Sequence, residues 1–291
     1  MSRDSFADRI VLGTVQIGVP YGKRRHEPIM PRTLAEEILD TAWALGVRVF
    51  DTAARYGESA ARLCSWMDSR GRRADCQVVT KVAPAAAPEL AEAINGECRR
   101  FADTATLTIL SHGAINGAQW QAFRDGVAGG RGFAGQSVYT QAEVREASTL
   151  PGIVRIQAPA NIFDIRALRA RGDSAVPLDL RSVYLQGVLL ETPEAAEDRA
   201  SGAGALAAAV QVVAAELGEA PSSLLVASAL TSMRSGDRVV IGVDEPQQLP
   251  PIARAGSLDP GVVAAFTREV RRRIPDDPRE NVLDPRTWGA T

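Results

Sequence analysis

The sequence predicts an α/β fold: a (β/α)8 TIM barrel, eight parallel strands closed on themselves and interleaved with helices, in one domain spanning 1–291. Three observations carry this. Short apolar runs alternate strictly with segments of helical periodicity, which argues for a parallel sheet. Eight such units occur, which argues for closure, at a length barrels routinely reach. The main alternative is an open doubly wound sheet, which usually carries G-x-G-x-x-G after its first strand, and none follows the first strand here.

The elements follow in order. Ile10–Thr14 is a first strand, then a loop with Tyr21-Gly22 and Pro31 leads to a helix with Leu34, Ile38, Leu39, Ala42 and Leu45 at helical spacing. Val47–Asp51 is strand two, followed by a helix from Ser59 to Met67. Cys76–Lys81 is strand three, with a helix opening at Pro88. Ala105–Leu110 is strand four, followed at once by Ser111-His112-Gly113 and a helix from Ala118 to Val127. Gly132–Tyr139 and Ile153–Gln157 are strands five and six, each with a helix behind it. Val176–Val183 is strand seven. Glu191–Gly204 reads as a loop inserted at a strand end, ahead of helices Ala205–Leu217 and Pro221–Ser232. Arg238–Gly242 is strand eight, and the tail from Pro260 adds helix beyond the barrel.

Composition narrows the function. Hydrophobic residues make up 45% of the chain, enough for a large core. A net charge of −2 gives no electrostatic footprint for nucleic acid or a membrane surface. Cys64, Cys76 and Cys98 form no C-x-x-C pair, and His26 and His112 show no metal-ligand spacing, so no metal site is expected. No apolar run has the length of a membrane span, and the reading is a cytoplasmic protein.

Polar residues gather at the C-terminal ends of the strands, where barrels carry chemistry. Asp51 ends strand two, with Tyr56 in the loop behind it; Lys81 ends strand three and His112 follows strand four. Ser137, Gln157 and Arg181 stand at or near the ends of strands five, six and seven. A carboxylate at the tip of a buried strand needs a cation, and Lys81 is the candidate. The expectation is that the ammonium also lowers the pKa of the Tyr56 phenol, so that it can give a proton to a developing alkoxide. His112 would hydrogen-bond the carbonyl oxygen. No side-chain nucleophile of a known pattern is present, and a hydride must come from a cofactor.

These residues resemble the aldo-keto reductase superfamily. Leu12-Gly13-Thr14, Asp51-Thr52-Ala53 with Tyr56-Gly57, Thr80-Lys81 and His112 are similar to its tetrad in order and spacing. Gly135 to Ser137, Gln157 with Asn161, Arg181-Ser182 with Gln186-Gly187-Val188-Leu189, and Ile241-Gly242 with Gln248-Leu249 extend the resemblance over nearly the whole chain. The resemblance implies an N-terminal hairpin capping the barrel and NADP(H) extended across its C-terminal face. It implies Tyr56 as general acid, Asp51 and Lys81 as its tuning pair, and His112 as the group that orients the carbonyl. Ser137 and Gln157 would hold the nicotinamide carboxamide. Arg181 stands where many members place a stacking tyrosine, and Val138 where many carry an asparagine. Gly242-Val243-Asp244, with Gln248 at the next helix start, replaces a lysine that clamps the 2′-phosphate. An acidic Asp244 suits a free 2′-hydroxyl, so NAD(H) stands as the alternative cofactor. The implied activity is NAD(P)H-dependent interconversion of an aldehyde, ketone or sugar carbonyl with an alcohol. The alternatives are a cofactor-binding regulatory or scaffolding barrel, and an aldolase using Lys81 as a Schiff base.

Overall fold

The computed structural model describes residues 6–274 and 280–288. Eight parallel strands form a closed barrel: β1 Ile10–Gly13, β2 Val49–Asp51, β3 Gln77–Val82, β4 Thr106–His112, β5 Phe133–Ser137, β6 Arg155–Pro159, β7 Leu178–Arg181 and β8 Arg238–Ile241. Each strand pairs with the next, and β1 closes on β8 through Ile10 opposite Val239.

Alternation of side chains along each strand sorts the residues into two layers. Those facing out meet the helices, and Phe50, Trp66, Trp120, Phe123 and Phe266 are fully buried there. Trp66 and Trp120 are thus packing residues on helices Ser59–Ser69 and Gly117–Gly129. Those facing in begin with ions: Asp179 of β7 accepts from Arg155 Nη1 at 2.9 Å and from Arg238 at 2.8 and 2.9 Å. Val11, Val49, Val79 and Leu110 form a compact apolar plug inside the barrel. Two residues further along those same strands stand Gly13, Asp51, Lys81 and His112. The period of two therefore carries the strand-tip polar residues to the barrel mouth, above a dry plug.

Several boundaries move. His112 is the last residue of β4 and does not follow it. Strand six starts two residues later than its apolar run suggests, so Gln157 sits mid-strand. The segment read as an insertion loop contains a helix, Pro193–Arg199, with Thr192 accepting from Ala195 N at 3.3 Å and Pro193 opening the first turn. Beyond β8 lie the helices Leu249–Arg254, Pro260–Arg273 and Glu280–Leu283. No hairpin precedes β1 among the described residues: Ala7–Arg9 is a 3-10 turn running straight into it, and 1–5 lie outside them. No single described helix is long and apolar enough to cross a membrane.

Candidate active site

The base of the site is a buried ion pair. Lys81 Nζ donates to both Asp51 oxygens, at 2.6 and 2.7 Å, and to Thr52 O at 2.9 Å. Lys81 is 1% and Asp51 4% exposed. Gln157 Nε2 donates to Asp51 Oδ2 at 2.8 Å from the far side of the barrel, and Ser137 Oγ donates to Gln157 Oε1 at 3.3 Å. Four strands, β2, β3, β5 and β6, are thus tied into one hydrogen-bonded chain. Burial pulls the Lys81 ammonium down and the Asp51 carboxylate pulls it up.

Tyr56 and His112 lie above this base, their rings 6.3 Å apart and nearly perpendicular. The Lys81 nitrogen is 5.2 Å from the Tyr56 ring centre. The Tyr56 turn is held by close packing: a side chain on Gly18 would overlap the Tyr56 carbonyl and the Ser59 amide. Ser59 Oγ in turn bonds Thr14 Oγ1 at 2.7 Å and Thr52 Oγ1 at 2.9 Å, all three buried. These hydroxyls link the ends of β1 and β2 to the helix that follows Tyr56.

The expectation that Lys81 acidifies this phenol is not met. Burial pushes Tyr56 above its ordinary range, Asp51 adds to that, and Arg181 is the cation that pulls it back. The ammonium is held by two carboxylate oxygens, so little net positive charge is left to act on the ring. Burial, with Lys81 and Arg181 behind it, lowers His112 to about 4, so its imidazole is neutral at pH 7. His112 Nδ1 is buried and without a partner.

A cavity of about 1010 Å³ opens above these groups. Asp51, Tyr56, His112, Ser137, Gln157, Arg181, Gly242 and Gln248 all line it, while Lys81 lies beneath its floor. Every sequence-predicted site residue is therefore at the mouth, although not all are free to act as expected. Gln248 Oε1 accepts from Asp244 N at 2.8 Å and Glu245 N at 3.4 Å, capping the turn Pro246–Gln248. What it can offer a ligand is its amide nitrogen. The Gln16 carboxamide lies flat on Gly242, where any Cβ would overlap it, and Gln16 Oε1 is buried without a partner.

Tyr139 is a lining residue that the sequence did not single out. Tyr139 follows β5, with the Arg181 guanidinium 4.1 Å over its ring and that of Arg286 3.7 Å from it. Tyr139 has no motif to mark it, and Arg286 comes from the distant tail. Tyr21 of the loop after β1 lines the cavity, and burial raises its phenol to about 12. His26 of the same loop is exposed.

Fold and site together define a parallel barrel with a cofactor-sized cavity at its C-terminal mouth. Residues 9–106, which carry Asp51, Tyr56 and Lys81, match the model of the aldo/keto reductase family. No curated protein matches the sequence significantly. Among solved structures, the glycerol dehydrogenase from Gluconobacter oxydans superposes at a TM-score of 0.73, with 15% identity over 94% of each chain. An aldo/keto reductase from Klebsiella pneumoniae, solved with NADP and acetate, gives 0.66 and 19% over 95% of this chain and 94% of that one. The aldo-keto reductase from Bacillus halodurans, in its holo form, gives 0.65 and 17% over 91% of each. At such identities the likeness is one of fold.

Proposed function

We propose that this protein reduces a small aldehyde, ketone or sugar carbonyl, and runs the reverse oxidation, with Tyr56 as the proton donor. The observation that carries this reading is the buried Lys81–Asp51–Gln157 chain directly beneath Tyr56 and His112 at the floor of a large cavity. NAD(P)H would supply the hydride. The residues present suit such a group: the cavity runs from His112 to the loop after β8, and His112 Nδ1 and Gln16 Oε1 are buried polar atoms that lack a partner. Ser137 and Gln157 would hold the carboxamide edge, and Gly242 and Gln248 would lie along the adenosine end. Lys23 and Arg25, on the loop facing Asp244, also line that end. They support NADP(H) as the cofactor where Asp244 alone would favour NAD(H).

The chain's own part is positioning and proton movement. His112, neutral, hydrogen-bonds the carbonyl oxygen and fixes its direction. Tyr56 stays a protonated phenol across the working pH range, because its pKa is raised. It gives its proton as negative charge grows on the oxygen, a stronger base than the phenolate left behind. Lys81 does not acidify the free phenol. Its contribution comes when the phenolate forms, since a nearby ammonium then meets a full negative charge in a site of low dielectric.

The test is Tyr56→Phe. Turnover falls at least 10²–10⁴-fold, the range for losing a general acid. Dissociation constants for NADPH and NADH, read by fluorescence, stay near wild type. A variant as active as wild type contradicts the assignment. Cofactor binding by the wild type without turnover of any aldehyde or sugar would favour the regulatory barrel.

A further inference from the structure

The most deeply buried cations among the described residues each face a carboxylate. Lys81 holds Asp51 at 2.6 Å, Arg171 holds Asp237 at 2.6 Å and Arg238 holds Asp179 at 2.8 Å. Within the cavity wall, Arg199 holds Glu191 at 2.5 Å. Arg181 is less buried and has no such pair; Arg48 shares that trait but lies away from the cavity. Arg181 is half-buried at the tip of β7, and no described carboxylate lies within ion-pair distance of it. Arg181 Nη2 donates to Val138 O at 3.0 Å, while Nη1 reaches Ser182 Oγ only at 3.5 Å. The Tyr139 ring fixes the guanidinium on one face. Arg286, which shares that ring, is neutralised by Asp284 at 2.5 Å; Arg181 has no such counter-ion.

Two further features single out this spot. The chain straight after Arg181 is strained: Ser182, Leu185 and Gln186 are non-glycine residues with φ of 66°, 50° and 54°. Ser182 and Gln186 line the cavity with Arg181. Such backbone persists where a loop is held for a ligand. Arg181 also stands where two cavities meet, since it and Tyr139 line both the main cavity and a second one of about 610 Å³ beside the tail. A half-buried guanidinium with no described carboxylate within ion-pair distance and its plane held suits a planar oxyanion, which it can grip with two N–H groups.

We propose that Arg181 receives an anionic oxygen group of the ligand bound in this cavity: the carboxylate of an oxo- or hydroxy-acid substrate, or a phosphate of the dinucleotide. Naming the ligand as substrate or dinucleotide rests on the reductase reading. The anion site itself is a binding property, and its test needs no turnover.

The experiment titrates the full chain calorimetrically with hexanoate, with the matched neutral hexanamide and with inorganic pyrophosphate. Wild type, Arg181→Gln and Arg181→Lys are compared, each first checked by its melting curve. Wild type is expected to bind hexanoate tenfold or more tighter than hexanamide, or to bind pyrophosphate. Arg181→Gln is expected to lose that preference by about tenfold to a hundredfold, the scale of a hydrogen bond to a charged group. Arg181→Lys, which keeps the charge but not the fork, falls between. Loss confined to hexanoate identifies a substrate carboxylate, and loss confined to pyrophosphate identifies the cofactor. The proposal is overturned if wild type shows neither preference, or if Arg181→Gln binds both anions as wild type does. An inactive enzyme that still shows the Arg181-dependent preference overturns the reductase reading alone.

Discussion

Replacing Lys81 with Met removes one half of an ion pair closed off from water and leaves the other in place. Asp51 would keep one hydrogen bond, from Gln157 Nε2 at 2.8 Å, against the three that reach it from Lys81 and Gln157 in the wild type. Breaking a buried pair from one side costs about 3–5 kcal/mol, because the surviving charge is desolvated and unmatched. For a chain of this size each kcal/mol moves the melting temperature by roughly 2–4 °C, so a fall on the order of 6–20 °C is expected. The loss has a pH signature. The orphaned carboxylate takes up a proton more readily in the folded than in the unfolded chain, so the variant regains stability as pH falls. The double variant Asp51→Asn, Lys81→Met buries no charge and keeps an acceptor for Gln157. It should recover most of the lost stability and none of the activity. Thermal and urea unfolding of wild type, both single variants and the double one measure the coupling. A Lys81→Met protein within about 1 kcal/mol of wild type, the scale of an exposed pair, would refute the reasoning.

Three more expectations can be tested together. Gly18→Ala drives a Cβ into the Tyr56 carbonyl and the Ser59 amide; it should cost about 1–3 kcal/mol by overpacking and lower kcat more than cofactor affinity. Ser59→Ala removes the hydroxyl shared by Thr14 and Thr52; unfolding should show a loss of about 1–3 kcal/mol, since two buried hydroxyls each lose a partner. His112 has a folded pKa of about 4 against an ordinary 6.5. Between those values the unfolded chain binds the extra proton, so stability is fully present above about 6.5 and declines as pH falls toward 4. In His112→Gln that part of the acid limb should flatten, as followed by melting temperature against pH.

The fold was legible because buried strands announce themselves as apolar runs and because each run stops at a polar residue. The site was legible for the same reason: alternation along the strands puts the residue at each tip over the plug. What stayed hidden was of two kinds. The helix Pro193–Arg199 carried its own signal, a threonine before a proline and a glutamate, but acidic and small residues made the stretch look like a loop. The Arg181–Tyr139–Arg286 stack carried none, since it joins β7, the loop after β5 and the tail, which only the folded chain brings together. The charge balance at Tyr56 belongs with it. Sequence could pair Lys81 with Asp51, but not tell that the pairing would leave the phenol without acidifying help.

The hydrogen bond from Gln157 to Asp51 spans 106 positions of chain. A nascent polypeptide that has made only its first four strands would already contain Asp51, Tyr56, Lys81 and His112, yet the carboxylate would still lack its amide donor. The mouth therefore acquires its final geometry only when β6 arrives. A fragment ending ahead of β6 would carry the tetrad without the brace that orients it. Fragment-complementation or permutation experiments that cut the chain between β4 and β6 would separate having these residues from having them in register.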